Sequence, residues 1–277
     1  MAGFYKANIE FITEHAISAD KRRYVDSSEA PKHYLNVDHY GKNPFSKIPR
    51  RWNDAVVKYS EDTLIKYGTV PWTIQYNYYK LVEAFKAHDT TRILTASANL
   101  GHYIADAHVP LHLTQNYNGQ LTNQTGLHAL WESRIPELFA NHYHYFTGKA
   151  RYIENPLSEA FKICRASFKE VDTVLFFERV LNQSFSADKK YAMVKHGKKE
   201  VKDYSVEYSR AYQYRMKGMV ERRMRAAILE VGSYWYSAWV DAGQPDLNRL
   251  IKQELTPDKR KKIQQEEALY ITGKQFQ

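Results

Sequence analysis

Residues 101–134 read GHYIADAHVPLHLTQNYNGQLTNQTGLHALWESR, and how they are read decides the rest of the chain. They hold His102-x3-Asp106, then His112, then His128-x3-Glu132. An i,i+4 spacing puts two side chains on one face of a helix, one turn apart. Both halves of the stretch are therefore predicted helical, each with an imidazole beside a carboxylate. Zinc takes this ligand chemistry in hydrolytic centres. At about 100° per residue, His102 and Asp106 lie about 40° apart, and His112 lies about 80° from His102 in the other direction. His112 can then reach the same cavity but not the same ion. His108, about 120° off, is expected to be a core or supporting histidine. Trp131 is expected to pack.

Outward from the stretch, the chain keeps a helical period. Residues 4–16 place Phe4, Ala7, Phe11 and Ile12 along one side. Residues 17–50 show no sustained period and carry Pro31, Pro44, Pro49 and Gly41, so they read as a long ordered connection. That connection holds Asp20, His33, Asp38 and His39. Residues 52–67 form a predicted helix stopped by Gly68, and Pro71 opens the next, over 71–87. Asp89 caps a further helix running into the central stretch. Pro110 lies inside that helix and is expected to bend it by removing a hydrogen bond.

Residues 114–126 form a polar loop that returns the chain, so that His128 and Glu132 face His102 and Asp106. Helices follow at 156–181 and 207–241. A basic, weakly patterned surface excursion at 186–202 separates them. The Met and aromatic stripe from Tyr212 to Trp239 reads as core. The tail, 246–277, is charged; its run Lys259-Arg260-Lys261-Lys262 reads as a solvated helix face. With no repeat and no low-complexity segment, residues 1–277 read as one all-α domain, a multi-helix bundle.

Composition limits the classes. The chain has 277 residues, a net charge of +9 and 43% hydrophobic residues, with a mean hydropathy of -0.63. No stretch reaches the roughly 20 apolar residues that a membrane span needs. The basic balance favours anionic partners, whether nucleic acid, phosphodiester or anionic lipid. A single cysteine, Cys164, excludes an internal disulfide framework and a cysteine-built zinc site, and is expected to be buried.

The run HYIADAHVPLH…LHALWE resembles the zinc-dependent phospholipase C and single-strand-specific nuclease superfamily. The resemblance is specific over about 35 residues and extends more weakly from Asp20 to Trp239 in helix order. It implies an all-α bundle of that type and zinc-dependent hydrolysis of phosphodiesters, either nucleic acid or phospholipid head group. The Trp of His-Ala-Leu-Trp-Glu is similar to the nuclease branch and its Glu to the phospholipase branch. By resemblance, Asp20, His33, His102 and Asp106 hold one zinc, and His112, His128 and Glu132 a second. Asp20 also orients the attacking water or takes its proton. Asp38 and His39 compete for the roles of Asp20 and His33.

The superfamily also implies a third zinc, held by an N-terminal Trp and a nearby His and bridged through the Asp106 position. Here no Trp precedes Trp52 and no His precedes His15. The expectation is therefore two zinc sites, a third that is incomplete, and a native form with a longer N-terminus. Secretion or a periplasmic location follows by resemblance, although no signal peptide opens the sequence. No stable protein partner is expected. A rival reading is a catalytically impaired, zinc-stabilised helical protein that binds an anionic partner.

Overall fold

The computed structural model describes residues 1–196 and 199–251. The run from Lys259 to Lys262 lies outside them. Four helices form the frame: Val70–Lys86, Thr90–His108, Pro156–Phe168 and Met219–Asp241. The first two pack as an antiparallel pair, and the other two lie against both. Their facing sides carry Tyr78, Leu81, Phe85, Ile93, Leu94, Ile104, Phe161 and Tyr234, all buried. Each such large side chain contributes about 1.5–3 kcal/mol on leaving water. The Asp89 carboxylate accepts from Arg92 N at 3.2 Å, capping the Thr90–His108 helix as expected.

A second apolar cluster joins Leu111, Leu127, Leu130, Trp131 and Ile135 to Val174, Tyr208, Tyr212 and Met216. The central stretch lies between the two clusters. Leu113 enters the first and Leu111 the second. Trp131, His108 and Cys164 are buried, as read.

Among the described residues the fold is all-α apart from one antiparallel hairpin, Tyr191–His196 with Lys199–Tyr204. That hairpin corrects the patternless excursion at 186–202. Charged residues at Lys195, Glu200, Lys202 and Asp203 fall on both faces and hide its period of two, yet Tyr204 turns into the core.

Several predicted helices are divided. The 4–16 helix breaks at Asn8 into Ala2–Ala7 and Ile9–His15, and the Asn8 amide turns back to Phe4 O at 2.8 Å. The 52–67 helix breaks at Ser60, where φ is 68°. The 156–181 run breaks at Lys169 and Glu170, before Val171–Ser184. The 207–241 helix breaks at Lys217 and Gly218, both left-handed. Ile228, on the stripe read as core, is 42% exposed. The connection at 17–50 contains short helical turns: Ser18–Arg22, Ala30–His33, Val37–Tyr40 and Pro44–Lys47.

Pro110 does not bend a helix. The helix ends at His108, Val109 is extended, and Pro110–Leu113 forms a separate 3-10 turn. The residue before a proline is driven out of the helical region, which ends the helix there. His112 therefore sits on a turn of its own, and the angle of about 80° expected of a continuous helix does not apply to it.

Candidate metal centre

Each candidate side chain owes its direction to neighbours that are buried. Leu100, Tyr103, Ile104 and Ala107 turn one side of the Thr90–His108 helix into the core, leaving His102 and Asp106 on the adjacent stripe. Leu111 and Leu113 anchor the 3-10 turn on both sides, and His112 between them projects the other way. Leu127, Leu130 and Trp131 do the same for His128 and Glu132. The turn around Glu132 is a π-helix, Leu130–Arg134. Even so, His128 Nε2 lies 2.6 Å from Glu132 Oε2.

His33 and His112 come from turns locked together. Leu35 N donates to His112 O at 2.9 Å, and His112 Nδ1 donates to His33 O at 2.6 Å. These bonds carry the 17–50 segment onto the central stretch. Asp20 arrives on Ser18–Arg22.

The first group is built on Asp20, His33 and His102, with Asp106 against the two histidines. His33 Nδ1 is 2.9 Å from Asp106 Oδ2 and 3.1 Å from His102 Nε2. His102 Nε2 is 3.3 Å from Asp106 Oδ2. Asp20 Oδ1 is 3.7 Å from His33 Nδ1 and 3.8 Å from His102 Nε2. Donors about 2.0–2.1 Å from a tetrahedral zinc ion stand about 3.3 Å from one another. These five separations fall on both sides of that value; the donors of Asp20, His33 and His102 all lie within 4.8 Å of one another, and Asp106 joins them through the two histidines. Two imidazoles and two carboxylates are a donor set that suits zinc. In the second group, His112 Nε2 lies 3.4 Å from Glu132 Oε2, the same oxygen that His128 Nε2 approaches. Its three donors all lie within 4.8 Å of one another. Asp106 stands between the groups, its Oδ1 4.0 Å from His112 Nδ1.

The far side of each ring is also occupied. His102 Nδ1 meets Ala16 O at 2.8 Å, and His128 Nδ1 meets Tyr117 O at 3.2 Å. With His112 on His33 O, three imidazoles donate from Nδ1 to a carbonyl and keep Nε2 for the centre. Such partners fix a ligand's tautomer and orientation. His33 is reversed and offers Nδ1.

The charges are matched but buried. Burial pulls His102 down, yet the Asp106 charge and hydrogen bond, with Asp20, outweigh it and push it up to about 9. Burial likewise lowers His112, and the Asp106 and Glu132 carboxylates raise it to about 9. Burial raises Asp106, but the His102 and His112 charges hold it well below the usual carboxylate range. Glu132 is held down the same way, chiefly by His112. His108 does not join: burial and Arg223 push it down to about 3, and its Nδ1 bonds Ile104 O.

Asp38 and His39 are occupied elsewhere. Asp38 accepts from Thr114 Oγ1 and Gln115 N, tying down the polar loop. His39 stacks on Tyr67. Two cavities open on the centre. One, of about 730 Å³, is lined by Asp20, Asp106, His112 and Glu132; the other, of about 530 Å³, by Tyr34, Asn36, Tyr117 and Asn118. Arg23, His112 and His128 line both. Arg23 Nη1 sits 3.3 Å from Asp20 Oδ1.

The S1/P1 nuclease family matches residues 6–229, most of the chain. The chain belongs to the S1/P1 nuclease family. No curated protein matches it. S1/P1 nucleases hydrolyse phosphodiester bonds, and the family fold is helical, as here. Among the described residues no helix is long and apolar enough to cross a membrane.

Sequence reasoning missed Glu29, a buried carboxylate behind His33. The signal was present: Glu29-x3-His33 is a third i,i+4 pair of this kind. Arg23, Tyr34 and Tyr117 were also missed, because nothing local distinguishes them from other basic and aromatic residues.

Proposed function

We propose that this S1/P1 family member is a zinc-dependent phosphodiesterase acting on single-stranded nucleic acid, working as one domain. One observation carries the reading: donors of Asp20, His33 and His102, from three chain segments, converge within 4.8 Å of one another with Asp106 against both histidines, beside a second group of three. Asp20, His33, His102 and Asp106 would hold one zinc, and His112, His128 and Glu132 another. Zinc bound there supplies a water of lowered pKa and an electrophile for the phosphoryl oxygens.

The chain's own groups do the rest. Asp20 is half exposed at the mouth of the centre, where its carboxylate orients the attacking water and accepts its proton. Arg23, beside it, offers a fixed cation to a non-bridging oxygen. Tyr34 and Tyr117 line the adjoining cavity, and Tyr117 is 53% exposed. They offer ring faces to a base, while Asn36 and Asn118 offer amides to its edge. A lip of tyrosines and amides suits nucleic acid better than a lipid tail. Secretion or a periplasmic location, the general habit of the family, is part of the same proposal.

The test is a paired assay of the zinc-supplied protein on a short single-stranded oligonucleotide and on phosphatidylcholine micelles. Cleavage of the oligonucleotide alone is expected. Turnover of the lipid alone contradicts the nucleic-acid reading.

A further inference from the structure

We propose that Glu29 is a positioning residue for His33, holding that imidazole so that Nδ1 faces the Asp20–His102–Asp106 group. The inference rests on the zinc reading of that group and adds a residue to it.

Glu29 is only 2% exposed, yet it is ionic. Lys32 Nζ reaches its Oε2 at 2.7 Å, Arg22 Nη2 reaches Oε1 at 3.1 Å, and the Tyr103 hydroxyl also donates to Oε1. The Lys32 ammonium and the Arg22 guanidinium, each paired with one of its oxygens, fix the carboxylate and its charge in place. The fourth neighbour is His33 Nε2, 3.7 Å from Oε1. That nitrogen is buried and has no hydrogen-bond partner closer. Glu29 stands immediately before the Ala30–His33 turn that carries His33, one turn away from it, so its carboxylate is the polar group facing that nitrogen.

The other three histidines show what the position is for. Each rests its outer nitrogen on a backbone carbonyl. His33 alone turns its outer nitrogen to a carboxylate. A proton on Nε2, facing Glu29, leaves the Nδ1 lone pair for the centre. A carboxylate in this place also makes the imidazole a stronger donor than a carbonyl does.

The rival account is a purely structural node. Arg22 links Glu29 to Asn99 and Tyr103 and so ties the Ser18–Arg22 segment to the Thr90–His108 helix. Two variants separate these accounts. Glu29→Gln removes the charge behind His33. Arg22→Met weakens the node but leaves the carboxylate facing the ring.

Metal-free full-length protein is titrated with zinc by calorimetry and with cobalt by visible absorption. Glu29→Gln is expected to weaken one of two bound ions by about 10–100-fold, the range for outer partners of ligands, and to leave the other unchanged. Arg22→Met is expected to hold both ions as the unaltered chain does. Equal weakening by both variants, or none by Glu29→Gln, overturns the positioning role. Nitrogen-15 spectra of the unaltered zinc-loaded chain provide a readout independent of variant folding. They should show His33 protonated at Nε2; a proton on Nδ1 overturns the proposal. Uptake of no zinc by the unaltered chain would sink the zinc reading itself, a result distinct from either failure above.

Discussion

His33 Nδ1 lies 2.9 Å from Asp106 Oδ2, although 73 residues separate them in the chain. The contact joins the aperiodic 17–50 segment to the Thr90–His108 helix of the core. It holds only while the locked turns of His33 and His112 stay together.

This buried charge cluster gives the metal-free protein a definite pH response. His102 and His112 titrate near about 9 when folded, above the roughly 6.5 of an unfolded histidine. Their contribution is complete below about pH 6.5 and is lost as pH rises through about 9. Asp106 and Glu132 are depressed, so their contribution is present above the ordinary carboxylate range and is lost as pH falls below it. Metal-free protein should therefore melt highest between about pH 5 and about pH 6.5. Zinc needs neutral imidazoles, so its added stabilisation should instead grow as pH rises towards about 9. Melting curves with and without zinc across this range check both slopes.

Gly68 is expected to be intolerant of any side chain. Its φ is +96°, and a Cβ there would stand 2.2 Å from Tyr34 O, next to His33. Gly68→Ala should cost about 2–4 kcal/mol, combining backbone strain with overpacking. Gly148→Ala is the control. It has φ +99° and nothing within 4 Å, so it should cost only the strain, about 1 kcal/mol. Denaturant unfolding of both gives the comparison.

Glu178 is fully buried and accepts from Gln124 at 2.6 Å, Tyr208 at 2.7 Å and Lys190 at 2.9 Å. Removing the acceptor leaves Lys190 with Asn182 but no counter-charge, and leaves Gln124, in the loop before His128, with Leu175 O alone. Glu178→Ala should cost about 3–5 kcal/mol. Chemical denaturation measures the loss, and faster amide exchange at residues 114–126 locates it.

Tyr117 should act on substrate binding rather than on chemistry. Tyr117→Ala should raise KM for a short single-stranded oligonucleotide by about 5- to 100-fold, the worth of one stacked base. Its kcat on a small phosphodiester without a base should not change. Steady-state kinetics on both substrates check the split.

The His102–Asp106 and His128–Glu132 pairs were legible because an i,i+4 relation is local and survives even the π turn at Glu132. Asp20 and His33 were not legible in that way. They lie in a segment without period, and only the resemblance pointed to them. Glu29 was overlooked in the same segment, where a pair at helical spacing stands among charges that look solvated. Breaks at Ser60 and Gly218 escaped because the apolar period resumes in phase beyond each. Pro110 was misjudged because its effect on Val109 was left out; the extended Val109 ends the helix and turns His112 independently. His39, the less favoured alternative to His33, stacks on the ring of Tyr67.

The most direct test of the central claim is the number of zinc ions taken up by the chelator-stripped protein, measured by calorimetry and elemental analysis with His102→Ala and His128→Ala alongside. The account predicts two ions in the unaltered chain and the loss of a different one in each variant. A metal-free protein of unchanged fold and thermal stability, or full zinc content in both variants, would contradict it.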